Sequence, residues 1–272
     1  MLTITTRKSN QQNANMFALF DLEWNNKEAN QLLKNYDNYG RLADHKKKIH
    51  AGIKHYLSSS KNLDATAMEQ DWFPKIDTPI FISHSHSDAD LAKQLAEFLH
   101  EECKIESFVD SIIWDNVLDL LKDIDNNYCA NSRSTYNYNK RNQSTANAYI
   151  ILQGALMKMI SQSKCVIFIN TPHSINIKDS DNNENDTTSS PWIYNELLMA
   201  NLFYQMKSPQ TFTESAGENE QLRIHYNVDL TNFAKISLQD IMDVCSGQIE
   251  SKALNALNKL YKLHTNSMLT RV

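Results

Sequence analysis

Glycine is scarce in this chain of 272 residues, and the little there is does not cluster. The five glycines are Gly40, Gly52, Gly154, Gly217 and Gly247. The dinucleotide fingerprint G-x-G-x-x-G and the P-loop both need neighbouring glycines so that backbone can approach phosphate, so neither can be built here. A nucleotide, if bound, is held some other way. No apolar run approaches the roughly 20 residues that span a bilayer. The stretch MLTITTRKSNQQNANMFALFDLEW has neither an apolar core of signal-peptide length nor a small-residue cleavage site, so a cytoplasmic protein is expected. An excess of positive charge is missing too. With 27 lysines and arginines against 32 aspartates and glutamates, the formal net charge is −5, and no general affinity for nucleic acid or anionic membranes is expected. The four cysteines, Cys103, Cys129, Cys165 and Cys245, contain no C-x-x-C pair. That spacing suits free thiols in a reducing compartment better than a disulfide framework.

The remaining composition, 41% hydrophobic and 22% charged, is ordinary for a globular chain. Residues 16–58 read as helical, with Leu42, Ile49, Ile53, Tyr56 and Leu57 on one side and Lys46, Lys47 and Lys48 on the other. DWFPKIDTP (71–79) is a linker, because its two prolines bar a helix. An alternation follows. IFIS (80–83), IESFVD (105–110) and CVIFIN (165–170) read as buried strands, and LRIHYNVDL (222–230) as a later one. Between them lie helical patterns at 89–99, 148–163 and 191–206, the last with Pro191 at the favoured first position and the first with Ser87 or Asp88 as N-cap. Strand–helix alternation implies an α/β fold, a parallel sheet with helices on both faces, whose ligands sit at the carboxyl ends of the strands. Residues 125–147 read as a long polar loop inserted into this unit, and 176–190 as an acidic one. The expected organisation is an N-terminal helical extension (1–75), an α/β unit (76–236) and a C-terminal helical segment (237–272) carrying Leu257 and Leu260.

The cluster SHSHSD (83–88) invites a metal reading, but zinc needs about four convergent donors, and His173, His225 and His264 stand alone. No metal is expected. Asp179, Asp181 and Asn183 have calcium-loop spacing, yet Glu184 stands where that loop turns on glycine and Ser190 where it needs a bidentate glutamate. No G-x-S-x-G elbow supports a serine nucleophile. Glu196, one turn inside an apolar helix, fits either a charge at a helix N-terminus or a catalytic carboxylate.

Four stretches in order, IFISHSHSDADLAKQLAEFL, FVDSIIW, MISQSKCVIFINT and SPWIYNEL, resemble the boxes of a TIR (Toll/interleukin-1 receptor) domain from about residue 78 to residue 230. The closest points of resemblance are Ser83, Asp110, and Trp192 followed four residues later by Glu196. The chain departs from the family in lacking an acid before the first strand, in lacking Gly and Pro after Asp110, and in carrying the 125–147 insertion. The resemblance implies a flavodoxin-like fold and an NAD+ glycohydrolase or cyclase that releases nicotinamide and forms ADP-ribose or a cyclic or conjugated ADP-ribose signal. It implies Glu196 as the catalytic carboxylate, and Ser83, His84, Asp110, Trp114 and Trp192 as substrate contacts. No cofactor is implied, NAD+ being the substrate. The region around Ser83 to Trp114 is most similar to bacterial members linked to antiphage defence, which implies self-association, a phage trigger and an effector that senses the product. The alternative is a non-enzymatic TIR interaction module. A nucleoside deoxyribosyltransferase relative, with the glutamate as nucleophile, is a third.

Overall fold

Where a sheet is covered on both faces, its strands need apolar side chains at every position rather than at alternate ones. IFIS and CVIFIN meet that condition up to their polar last residues, and they form β2 (Ile80–Ser83) and β4 (Cys165–Asn170). The structure, a computed structural model, describes residues 17–36, 78–109, 121–122, 124–131, 135–176, 186–207, 226–246 and 252–271. With β1 (Ala18–Glu23), β3 (Ser107–Val109) and β7 (Ala234–Ile236), these strands make a five-stranded parallel sheet in the order β3-β2-β4-β1-β7. A separate two-stranded antiparallel ladder joins β5 (Thr187–Thr188) to β6 (Tyr226–Asn227).

Alternation along the strands sends neighbouring side chains to opposite faces. Phe20, Leu22, Ile80, Ile82, Ile167 and Ile169 enter one core. It is closed by α1 (Asn26–Leu32), α2 (Ala89–Cys103), α5 (Leu238–Cys245) and α6 (Lys252–Leu269). Leu19, Phe81, Val166 and Phe168 enter the other, beneath α3 (Tyr138–Gln162) and α4 (Pro191–Lys207). Burying each such Phe, Leu or Ile contributes about 1.5–3 kcal/mol, so both cores are needed to offset chain entropy. The result is an α/β fold with helices on both faces, compatible with the flavodoxin-like order, in which the fourth place is taken by the N-terminal strand.

That strand corrects the helical reading of residues 16–58 in its first part. Ala18–Glu23 is a strand paired parallel to β4 on one side and β7 on the other. The run ALFDLE is too short for periodicity to separate strand from helix, and its long-range partners decide. Residues 37–77, with the lysine run and the linker up to Asp77, lie outside the described residues. The 125–147 loop is also corrected. Asp125–Cys129 is a π-helical turn, and α3 begins at Tyr138, with Asn137 accepting the Lys140 amide at 3.1 Å. Asp125 ties the two, accepting from Arg141 Nε at 2.8 Å and Ser144 Oγ at 3.0 Å. Of the strand read at 222–230, Tyr226–Asn227 is extended but pairs with β5, and the sheet's fifth strand is Ala234–Ile236.

The cysteine expectation is overturned as well. Cys103 at the end of α2 and Cys245 at the end of α5 are joined by a disulfide, with Cα atoms 4.9 Å apart, while Cys129 and Cys165 are free and buried. Two helices packed on one face bring together cysteines that sequence spacing keeps apart. With glycine scarce, the left-handed residue closing α2 is Lys104, at φ 56°. No described helix is long and apolar enough to cross a membrane.

Candidate functional site

Parallel strands all end on one edge of the sheet, and there the loops after β2 and β4 diverge. The chain leaving β2 enters α2 on one face, and the chain leaving β4 enters α4 on the other. Such a divergence opens a crevice between adjacent strand ends, where open α/β sheets hold ligands.

Ser83 is the last residue of β2. It follows Ile82 and therefore points, like Phe81, to the α4 side. Its hydroxyl donates to Glu196 Oε2 at 2.6 Å, and Glu196 is 1% exposed. The aim of Glu196 is set by the start of α4. Thr188 Oγ1 donates to the Ser174 carbonyl at 2.8 Å and accepts the Ser190 amide at 3.2 Å. Ser190 Oγ then accepts the Ile193 amide at 3.3 Å, one residue ahead of Pro191. Ile193, Leu197 and Ala200 bury the helix, and Glu196 enters the interior beside them.

Trp192, one turn before Glu196, packs partly buried against this core, its ring 5.3 Å from Tyr149 of α3. His84 is buried, with Nδ1 3.4 Å from the Ile82 carbonyl oxygen of its own strand. Asp110 and Trp114 lie outside the described residues. Among the expected residues, the structure thus brings Ser83 and Glu196 into contact, puts Trp192 between helices, and turns His84 back on its own backbone.

Sequence reading missed what Asp88 does. The helix α2 does follow Asp88, but the side chain makes no capping hydrogen bond. Instead Asp88, 3% exposed, accepts Ser85 Oγ and Thr171 Oγ1 at 2.6 Å each and faces His173 Nδ1 at 3.0 Å. Burial pushes its pKa up, but the hydrogen bonds from Ser85, Thr171 and His173 outweigh it and hold the carboxyl below its ordinary value. Thr171 and His173 follow β4, so Asp88 laces the β2 turn to the β4 turn across the crevice. No local signal could pair residues this far apart.

Elsewhere, a cavity of about 420 Å³ lies between the π-helical turn and α3, lined by Tyr128, Lys140 and Ile151 among others. Another, of about 650 Å³, lies beyond β1 and β7, beside Trp24 and Lys235. Neither is lined by Ser83 or Glu196. Among the described residues, no three or more His, Cys, Asp or Glu side chains gather as metal ligands would. Chemically, the strand ends offer two buried carboxyl groups in contact with hydroxyls, Glu196 with Ser83 and Asp88 with Ser85 and Thr171. No protein-family model matches this chain, and no curated protein or solved structure matches it.

Proposed function

We propose that this chain is a TIR-type enzyme that cleaves the nicotinamide–ribose bond of NAD+, with Glu196 as the catalytic carboxylate. The observation that carries the reading is the 2.6 Å hydrogen bond from Ser83 to the buried Glu196 at the end of β2. One carboxylate suffices for this chemistry. Nicotinamide is already cationic in NAD+, so it departs without a general acid, and only the ribosyl oxocarbenium ion needs stabilising. Glycosidases need a pair of carboxyl groups because their leaving oxygen must be protonated. Glu196 beside the ribose meets that positive charge, and Ser83 fixes the carboxylate's orientation. The products are nicotinamide and ADP-ribose, or a cyclic or conjugated ADP-ribose that acts as a signal to an effector.

The near-complete burial of Glu196 favours a second reading, a TIR module that associates without catalysis. It is also what a resting enzyme needing self-association or a phage-derived trigger would display. Incubating the purified chain with NAD+, with and without phage-infected lysate, and identifying products by mass spectrometry separates them. Nicotinamide release that Glu196→Gln abolishes supports the enzyme; no release in either condition leaves the module.

A further inference from the structure

His173 lies in the turn after β4 and Asp88 in the turn after β2, the neighbouring strand whose last residue, Ser83, donates to Glu196. Their burial is opposite. The Asp88 side chain is 4% exposed and that of His173 63%. Asp88 is held ionised by its hydroxyl partners, and an ionised carboxylate has no proton to give. The 3.0 Å contact with His173 Nδ1 therefore requires the proton on Nδ1. In the neutral ring Nε2 then carries the lone pair, on the exposed part of the side chain. The backbone is pinned as well: Thr171 Oγ1 accepts the His173 amide at 3.1 Å, and Ser174 Oγ accepts the Thr171 amide at 2.9 Å. A buried carboxylate that fixes the tautomer of an exposed imidazole is the arrangement of an acid–base dyad.

We propose that Asp88 and His173 are the proton-accepting dyad of the β2–β4 crevice, a role that rests on reading Glu196 as the NAD+ carboxylate. As the C1′–N bond breaks, its electron pair leaves on the nicotinamide nitrogen. The oxygen of water, or of an acceptor alcohol, bonds to C1′, and its proton passes to His173 Nε2. Asp88 stays ionised opposite the resulting imidazolium, which later returns the proton to solvent. The charged side chain meeting His173 from the β2 turn is Asp88, and its own turn presents the hydroxyls of Thr171 and Ser174, which do not titrate.

The test compares nicotinamide release against pH for the full chain, His173→Gln, Asp88→Asn and Glu196→Gln. Wild-type rates fall on acidification through an inflection. His173→Gln lowers the neutral rate by about 100-fold and removes the inflection, and Asp88→Asn does likewise because its amide favours the wrong tautomer. An inflection and rate unchanged in His173→Gln, beside an inactive Glu196→Gln, overturn the dyad and leave the proposed function standing. A second measurement is independent of NAD+: acylation of His173 by diethyl pyrocarbonate, followed by mass spectrometry. Faster modification in the wild type than in Asp88→Asn supports the dyad even if no nicotinamide is released; equal rates overturn it.

Discussion

On the α2 face of the sheet, Leu95, Ala96 and Leu99 of α2 share one core with Leu238 and Ile241 of α5, and Cys103–Cys245 joins the ends of the two helices. On the α4 face, Ile193, Leu197 and Ala200 pack in the same way, yet Glu196 and Asn201 are buried among them. Asn201 is used up by structure, since its amide donates to the Asp229 carbonyl at 2.7 Å and its oxygen accepts from Asn232 at 3.0 Å. Glu196 is a different case. A buried carboxylate lowers stability relative to a neutral isostere unless it is paired and fully hydrogen-bonded, and under the proposed function Glu196 is retained for chemistry. Under the proposed function the α2 face, with its disulfide and its own buried Glu97, holds the fold closed, while α4 carries the catalytic carboxylate.

That division can be broken in either direction. Under the proposed function, Glu196→Gln should cost about 3–4 kcal/mol of transition-state stabilisation, hundreds-fold in nicotinamide release. Its thermal unfolding midpoint should stay level or rise. A lowered midpoint accompanying the lost rate would make Glu196 a structural residue. Cys245→Ala should do the reverse, lowering unfolding free energy by about 2–4 kcal/mol in urea titration while the rate per folded molecule is unchanged. An equal loss on adding reductant to the wild type would confirm the disulfide as the cause.

A smaller effect concerns His264 of α6, buried with Nε2 3.0 Å from the Asn232 carbonyl and edge-on to Phe20 at 5.8 Å. Burial pulls its pKa below 6.5, against the pull of the backbone hydrogen bond. The folded state thus prefers the neutral ring, so this stability is complete above about pH 6.5 and is lost as pH falls from there toward the lower folded value. Unfolding titrations across that range should slope downward on acidification, and His264→Gln should flatten them. An unchanged slope would point to another group. Smallest of all, Lys104→Gly should raise stability by about 1 kcal/mol by relieving the left-handed backbone at the end of α2; a loss would mean that the lysine stem packs usefully there.

Buried strands were legible wherever their signal was local. CVIFIN and IFIS declare themselves by apolar continuity, and Pro191 marks the start of α4 from its own position. ALFDLE did not, because Asp21 interrupts the run. Burial raises that carboxyl's pKa, and the Asn170 amide that donates to it at 2.9 Å is 149 residues away. The polar start of α3 shows no apolar stripe to read, since Asp125, Arg141 and Ser144 hold it by side-chain bonds. In the site, Glu196 stood out through its neighbour Trp192 and the order of the surrounding boxes. Asp88 and His173 did not, because each is ordinary until the other is placed against it.

The position of β1 has a consequence in time. Ala18 pairs with Cys165 and Phe20 with Ala234, so β1 has both of its partners far downstream. At about 5–20 residues per second, roughly 7–30 s of synthesis separate β1 from β4. Throughout that interval ALFDLE is an apolar segment with unpaired amides, the kind of sequence that chaperones hold and that aggregation exploits. The sheet cannot zip up in the order in which it is made. Its fourth place stays empty until β4 and β7 exist, and docking of β1 into that slot is a late event, slow because its contacts are so non-local.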